Sequence, residues 1–302
     1  MKVLIADRLD EKALYLFEEK NIAVDYKPEI TPEALLAIIP SYDALIVRSR
    51  TKVTKEIIGK GSTLKVIGRA GSGVDNIDVK TAQEKNIIVV NTPDANAQAA
   101  AELTTCLITA YIRDLPKAFN SMKGGLWIKN DLWGSEIFGK TVGILGYGHV
   151  GKKVAKIMES LGAKVLIHSR SYQTTTLHDI FASADIVTIH LSLNNETKGC
   201  ITKELLLQMK QTAILVNISR GELVDEEALY EILKNKKIKG AILDVFWQEP
   251  LPPDSKWRKL DNAMLTPHIG ASTHEALERA SLTVAEDIVN VLKGGKPQNP
   301  VL

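Results

Sequence analysis

Several features are scarce in this chain of 302 residues, and each scarcity closes off a class of protein. Cysteine occurs twice, at Cys106 and Cys200, far apart and outside any Cys/His metal or redox spacing. That pattern excludes a disulfide framework and a structural zinc site, and no metal is expected. No apolar run is long enough to span a bilayer. The opening MKVLIADRLDEK reaches an acid at Asp7, unlike a signal peptide, so a cytoplasmic location is expected. Neither sign of charge dominates: 38 Lys and Arg stand against 36 Asp and Glu, for a net charge of +2. Nucleic acid and anionic membrane surfaces are therefore not expected partners. Low-complexity tracts and short repeats are also absent, which leaves an ordinary globular composition with room for about two domains.

What is present is an alternation of short apolar runs with helical patterns along the whole chain, implying parallel sheets covered on both faces. The organising stretch is residues 141–161, TVGILGYGHVGKKVAKIMESL. An apolar run ends at Gly146-Tyr147-Gly148-His149-Val150-Gly151, and apolar residues then recur at helical spacing. A G-x-G-x-x-G between strand and helix is the dinucleotide-binding fingerprint. Gly146 makes the tight turn, Gly148 admits the pyrophosphate, Gly151 lets helix and strand pack, and the helix N-terminus faces the phosphates.

Polar residues gather where strands end. In the first part of the chain, Arg48 follows DALIV and Arg69 follows LKVIG. Two guanidinium groups beyond strand ends could hold an anion, or pair with nearby acids. Gly71-Ser72-Gly73-Val74-Asp75-Asn76 lacks a third glycine, so it reads as a tight turn presenting N–H groups to a carboxylate rather than as a second dinucleotide loop. In the later part, His190, Arg220, Asp244, Glu249 and His268 fall on the edge where the glycine loop lies. One Arg, one Glu and one His beside a nicotinamide would make an oxidoreductase site: arginine for a carboxylate, histidine as acid–base group, glutamate to hold the histidine. Spacing alone does not bring the three together.

Three segments make the assignment specific. VNISRGELVDEEAL at 216–229, AILDVFWQEP at 241–250 and LTPHIGAST at 265–273 follow the glycine loop in that order. With it they resemble the D-isomer-specific 2-hydroxyacid dehydrogenases, over essentially the whole chain. The resemblance implies an α/β fold of two doubly wound parallel-sheet domains, Rossmann-like or flavodoxin-like, with an interdomain cleft. It implies a discontinuous substrate domain, 1–93 plus 281–302, and an NAD(P)-binding domain at 94–280. It places catalytic roles on Arg220, Glu249 and His268, and cofactor contacts on the glycine loop, His168, Ser169, Arg170, His190, Ser219, Asp244 and Gly270. LIVRSRTKVTKEII, VIGRAGSGVDNIDV and VVNTPDANAQAAAEL are similar to the branch of the family that oxidises 3-phosphoglycerate to 3-phosphohydroxypyruvate in serine synthesis. That similarity implies that Ser72 and Gly73 offer N–H groups to the substrate carboxylate and that Arg48 and Arg69 face its phosphate. Relatives are usually homodimers, and a homodimer is expected.

Two departures carry expectations of their own. Where an NAD-specific sheet has an acid after its second strand, this chain reads Ile167-His168-Ser169-Arg170, a pairing suited to a 2′-phosphate. NADP is therefore expected to be accepted alongside or in preference to NAD. The sequence stops at Leu302, so a serine-binding regulatory domain and inhibition through it are not expected. The alternatives are an NADPH-dependent glyoxylate or hydroxypyruvate reductase and a dinucleotide-sensing binding protein of the corepressor type.

Overall fold

Short runs of β-branched and other apolar residues become strands whose side chains alternate between two faces, each covered by helices. In the computed structural model, which describes residues 1–301, β1 (Lys2–Ile5), α1 (Glu11–Glu19), β2 (Ala23–Tyr26), α2 (Pro32–Ile38), β3 (Ala44–Val47), α3 (Lys55–Lys60), β4 (Val66–Arg69), α4 (Val79–Glu84) and β5 (Ile88–Val90) follow in chain order. The strands form a parallel five-stranded sheet in the order β2-β1-β3-β4-β5. Val3 and Ile5 pack on the face with Ala13 and Phe17 of α1, while Leu4 faces the opposite layer with Leu35, Ile57 and Ile58.

The chain continues through α5 (Ala97–Ile112), α6 (Leu115–Lys123), β6 (Thr141–Leu145), α7 (His149–Ser160), β7 (Lys164–His168), α8 (Leu177–Ser183), β8 (Ile186–Ile189), α9 (Lys203–Leu206), β9 (Ile214–Asn217), α10 (Glu226–Lys234), β10 (Gly240–Leu243), β11 (Ala263–Leu265) and α11 (His274–Leu292). Strands β6 to β11 make a second parallel sheet in the order β11-β10-β9-β8-β6-β7. One face carries α5 and α7 through Ile108, Val154 and Met158, and the other carries α8 to α10 through Ile180, Leu206 and Leu229.

The chain divides into one unit of Met1–Ala97 with the chain from Ala271 onward, and a second of Gln98–Gly270. The return comes earlier than the expected residue 281 because all of α11 belongs to the first unit. Its Val284 and Ile288 lie against β4 at Gly68, where a Cβ would come within 2.5 Å of Val284 Cγ2. Helix α9 is a single turn, and α6 begins at Leu115 with a proline in its first turn.

Among the described residues, β7 is the last strand on that side of the sheet. The chain folds back on it: His168 bridges Gln173, Thr174 donates its N–H to the Ile167 carbonyl at 2.9 Å, and Ile167 donates to Thr174 Oγ1 at 2.8 Å. The exposed edge of β7 is thereby partly paired. In each sheet the chain leaves the first strand in one direction and returns to the other side. That makes a switch point between β1 and β3 and another between β6 and β8, where ligands bind beyond strand ends.

Candidate active site

The glycine loop occupies the switch point of the second sheet. Gly146, at φ +94°, ends β6 and presses on the β8 end: a Cβ there would lie 2.5 Å from the His190 carbonyl oxygen. A Cβ on Gly151 would lie 2.0 Å from the Gly146 carbonyl oxygen, so only glycine lets α7 start this close to the turn. Gly148 is exposed with nothing within 4 Å of its missing Cβ, which leaves the backbone open to approach. Helix α7 opens from Gly148 with no side-chain cap, a condition it shares with α6 and α9, but it alone of the three starts from the glycine turn at a strand end. The positive end of its dipole faces this turn and suits an anion such as a dinucleotide pyrophosphate. His149 opens that helix and is exposed, Val150 packs on its inner face, and Tyr147 stacks on Tyr172 of the folded-back loop with centroids 5.0 Å apart. These residues fit a dinucleotide.

His190, one of the expected cofactor contacts, directly follows β8 on this edge. Its Nε2 lies 3.0 Å from Thr188 Oγ1, while Nδ1 is sealed from solvent without a partner. Burial pushes its pKa down to about 3, so the ring is neutral. At the β7 end, Gly146 donates its N–H to the His168 carbonyl at 2.9 Å. Ser169 is buried and its hydroxyl closes the loop, donating to the Tyr172 carbonyl at 2.8 Å and accepting from the Tyr172 N–H at 3.0 Å. Arg170 alone is presented outward, 85% exposed, with Nη1 3.4 Å from Glu196 Oε2.

The arginine, glutamate and histidine segments are locked to one another by buried polar groups. Asn217, fully buried at the end of β9, accepts the Ser219 N–H at 3.0 Å and donates to the Arg220 carbonyl at 2.8 Å. Ser219 donates its hydroxyl to the Ile189 carbonyl at 2.8 Å, tying this loop to β8. Gly221 brings the same loop against the next: a Cβ there would lie 2.3 Å from the Phe246 carbonyl carbon. The Phe246–Trp257 stretch is held in turn by Trp247, which stacks on Trp257 at 5.1 Å and donates to the Val224 carbonyl.

Asp244, fully buried, accepts from Thr266 Oγ1 at 2.5 Å and from the N–H groups of Ile269 and Gly270 at 2.9 Å each. Both of its oxygens are engaged with the histidine loop. On that loop His268 sits at φ +52°, a conformation rare for a side-chain-bearing residue and one that clusters at functional sites.

His268 Nδ1 lies 2.6 Å from Glu249 Oε2, and Glu249 Oε1 accepts the Phe246 N–H at 3.0 Å. Burial pushes the Glu249 carboxyl up, but the bonds from His268 and Phe246, with the charges of His268 and Arg220, outweigh it and hold the group below the usual carboxylate range. A carboxylate on Nδ1 fixes that nitrogen as the N–H and leaves Nε2 to exchange a proton. Arg220, Glu249 and His268 therefore belong to one electrostatic cluster. Sequence reasoning missed Asn217, Gly221 and Thr266, whose roles depend on partners brought near only by folding.

Arg48, Arg69, Ser72 and Gly73 lie in the other unit. Arg48 directly follows β3, and its N–H donates to Asp7 at 2.5 Å. Gly71, at φ +148°, accommodates the Arg69 guanidinium, which would overlap a Cβ there. Asn76, standing where a third glycine would be, donates from its amide to the carbonyls of Arg48 and Thr51 at 2.7 Å each. Ser72 is exposed, and its carbonyl accepts from the Asn91 amide at 2.6 Å; Gly73 follows it, half-buried. Among the described residues no group of His, Cys, Asp and Glu could hold a metal ion, and no helix is long and apolar enough to cross a membrane.

Residues 105–270 match the family model described as D-isomer specific 2-hydroxyacid dehydrogenase, NAD binding domain. Over the full chain, the protein is 44% identical to a D-3-phosphoglycerate dehydrogenase of Methanocaldococcus jannaschii, but it spans only 59% of that relative's length. It is 41% identical to a hydroxypyruvate reductase of Thermotoga maritima, over 96% of this chain and 98% of that one. Its fold matches an acyclic imino acid reductase in complex with NADPH and D-Arg at a TM-score of 0.90 and 32% identity, covering 100% of both chains.

Proposed function

Because the chain belongs to the D-isomer specific 2-hydroxyacid dehydrogenase family, we propose that it transfers a hydride between a nicotinamide cofactor and a D-2-hydroxy acid, the pair being 3-phosphoglycerate and 3-phosphohydroxypyruvate, as in serine biosynthesis. The observation that carries this is the Glu249–His268 contact at 2.6 Å, on the sheet edge that bears an uncapped glycine loop. Bound nicotinamide supplies the hydride donor or acceptor. Arg220 binds the substrate carboxylate and polarises the adjacent carbonyl. His268 delivers a proton to the carbonyl oxygen from Nε2 in reduction and removes it in oxidation, while Glu249 holds the ring through Nδ1. Asp244 acts as a positioning residue, fixing the backbone that carries His268. Ser72 and Gly73 would add backbone N–H groups at the carboxylate, and Arg48 and Arg69 would face the phosphate. Steady-state kinetics with 3-phosphohydroxypyruvate, hydroxypyruvate and glyoxylate, each with NADH and NADPH, tests the reading: the phosphorylated acid is expected to have the highest kcat/KM. A higher value for glyoxylate would contradict it.

The second reading is an NADPH-dependent glyoxylate or hydroxypyruvate reductase. It is favoured by Arg170, outward-facing at the point where an NAD-specific sheet carries an acid. On either reading NADP acceptance rests on Arg170, since the Ser169 hydroxyl is engaged within its own loop.

The assembly proposed is a homodimer. Helix α6 buries none of its residues, yet Leu115, Phe119 and Met122 fall on one side of it at helical spacing, 53%, 63% and 58% exposed. Trp127 and Trp133, just beyond, are 78% and 84% exposed. An apolar face of this kind is usually covered, and a second copy offers the same face in return.

A further inference from the structure

The sheet edge of the first unit carries more positive charge than Arg48 and Arg69 alone. Strands β1, β3 and β4 are consecutive in the sheet, with Ile5 opposite Ile46 and Val47 opposite Arg69. Neighbouring strands lie about 4.8 Å apart, and each of these three leads into an arginine at the same edge: Arg8 just after β1, Arg48 after β3, Arg69 closing β4. The switch point between β1 and β3 falls between Arg8 and Arg48.

The acid beneath them is already committed. Asp7, 3% exposed, accepts from the N–H groups of Arg48 and Thr51, from Thr51 Oγ1 at 2.7 Å, and from Arg50 Nε at 3.1 Å. Arg50 is a structural clamp, its guanidinium also donating to the carbonyls of Ala6 at 2.7 Å, Pro28 at 2.5 Å and Ile30 at 3.2 Å. Asp7 and Arg50 thus balance each other. The guanidinium groups of Arg8 and Arg48 make no hydrogen bond or ion pair to the described residues. Burial disfavours the charged form of half-buried Arg48 most; Asp7 opposes this, and the charge of Arg8 reinforces it, so the net direction is down. Two neighbouring guanidinium groups with no acid in direct contact favour an anion that joins them.

We infer that Arg8 determines specificity, forming with Arg48 a two-guanidinium seat for a dianionic phosphate group. This rests on the substrate reading above. A phosphate has three acceptor oxygens for two planar donor forks, whereas a hydroxymethyl tail leaves both charges unmatched. Arg8 is exposed and holds no other element in place, so its substitution leaves the fold intact.

The test compares the wild type with Arg8→Ser and Arg8→Lys. Two quantities are read: the ratio of kcat/KM for 3-phosphohydroxypyruvate over hydroxypyruvate, and the inhibition constant of inorganic phosphate against hydroxypyruvate. Arg8→Ser is expected to lower the ratio about tenfold and weaken phosphate inhibition about tenfold, the loss of one charge-assisted contact, with partial recovery in Arg8→Lys. If both quantities are unchanged in Arg8→Ser, the seat is wrong. If the wild type does not favour the phosphorylated acid but phosphate inhibition still depends on Arg8, the seat stands and the substrate reading falls.

Discussion

Glu249 and His268 stand 2.6 Å apart through Oε2 and Nδ1, although 19 positions separate them in the chain. The contact exists because two loops are fixed independently. One is held by Trp247 stacked on Trp257, the other by Asp244 beneath the backbone of Ile269 and Gly270. His268 then needs its left-handed backbone to point at the carboxylate. Loss of the proton-handling group typically costs 10²–10⁴-fold. His268→Gln is therefore expected to lower kcat by about that range with little change in cofactor Kd, measured by steady-state kinetics and fluorescence titration. Glu249→Gln should lower kcat as well, by weakening the hold on the imidazole ring; an unchanged kcat would remove Glu249 from its assigned role.

Gly221 offers a test of how the arginine loop is positioned. Any Cβ there meets the Phe246 carbonyl carbon at 2.3 Å, and backbone cannot yield as a flexible side chain does. Gly221→Ala is expected to destabilise the protein by about 1–3 kcal/mol and to reduce kcat by moving Arg220 and Glu249 apart. Urea denaturation with parallel kinetics checks both. Unchanged kcat in Gly221→Ala would mean the two loops are not coupled through this contact.

Cofactor choice is expected to turn on Arg170. Its neighbour Glu196 is exposed as well, so their pairing is worth little and leaves the guanidinium available to a 2′-phosphate. Arg170→Ala should weaken NADPH binding about tenfold and leave NADH binding nearly unchanged, as read from the two dissociation constants. Equal loss for both cofactors would count against a 2′-phosphate contact.

His190 should make the fold acid-sensitive. Above pH 6.5 the ring is neutral in both folded and unfolded chains. Below that, the unfolded chain takes up a proton that the folded one, with a pKa pushed down to about 3, does not. The unfolded state then binds more protons, so stability falls with pH, by about 2 kcal/mol at pH 5. His190→Gln should lose less stability than wild type between pH 7.5 and pH 5 in urea titrations. Identical losses would show that His190 is not the source.

The proposed dimer is checked by sedimentation velocity. Phe119→Glu combined with Trp133→Glu is expected to convert a dimer to a monomer with its far-ultraviolet circular dichroism intact. A wild-type monomer at micromolar concentration would leave the apolar face of α6 unexplained.

What was legible in the sequence follows from what kind of need each residue meets. Gly146 and Gly151 answer a local backbone requirement, so their spacing alone reveals the loop. The strands are legible because apolar runs with helices between them leave few alternatives to a parallel sheet. Asp244 is different. At a strand end it reads as a cofactor contact, yet its burial comes from Thr266, Ile269 and Gly270, which reach it only after β10 and β11 pair. Ser169 likewise reads as a phosphate donor, and only the turn with Tyr172 reveals where its hydroxyl goes. Asp7 was passed over because its four donors come from a strand end and turn more than forty positions away.

The most direct measurement follows deuteride from 4-deuterated NADH or NADPH into 3-phosphohydroxypyruvate. The expected product is 3-phosphoglycerate carrying one deuterium at C2, of D configuration, formed by the wild type and about 10²–10⁴-fold more slowly by His268→Gln. Tight cofactor binding with no deuterium transferred to this or any other 2-keto acid would contradict an oxidoreductase role and point instead to a dinucleotide-sensing protein.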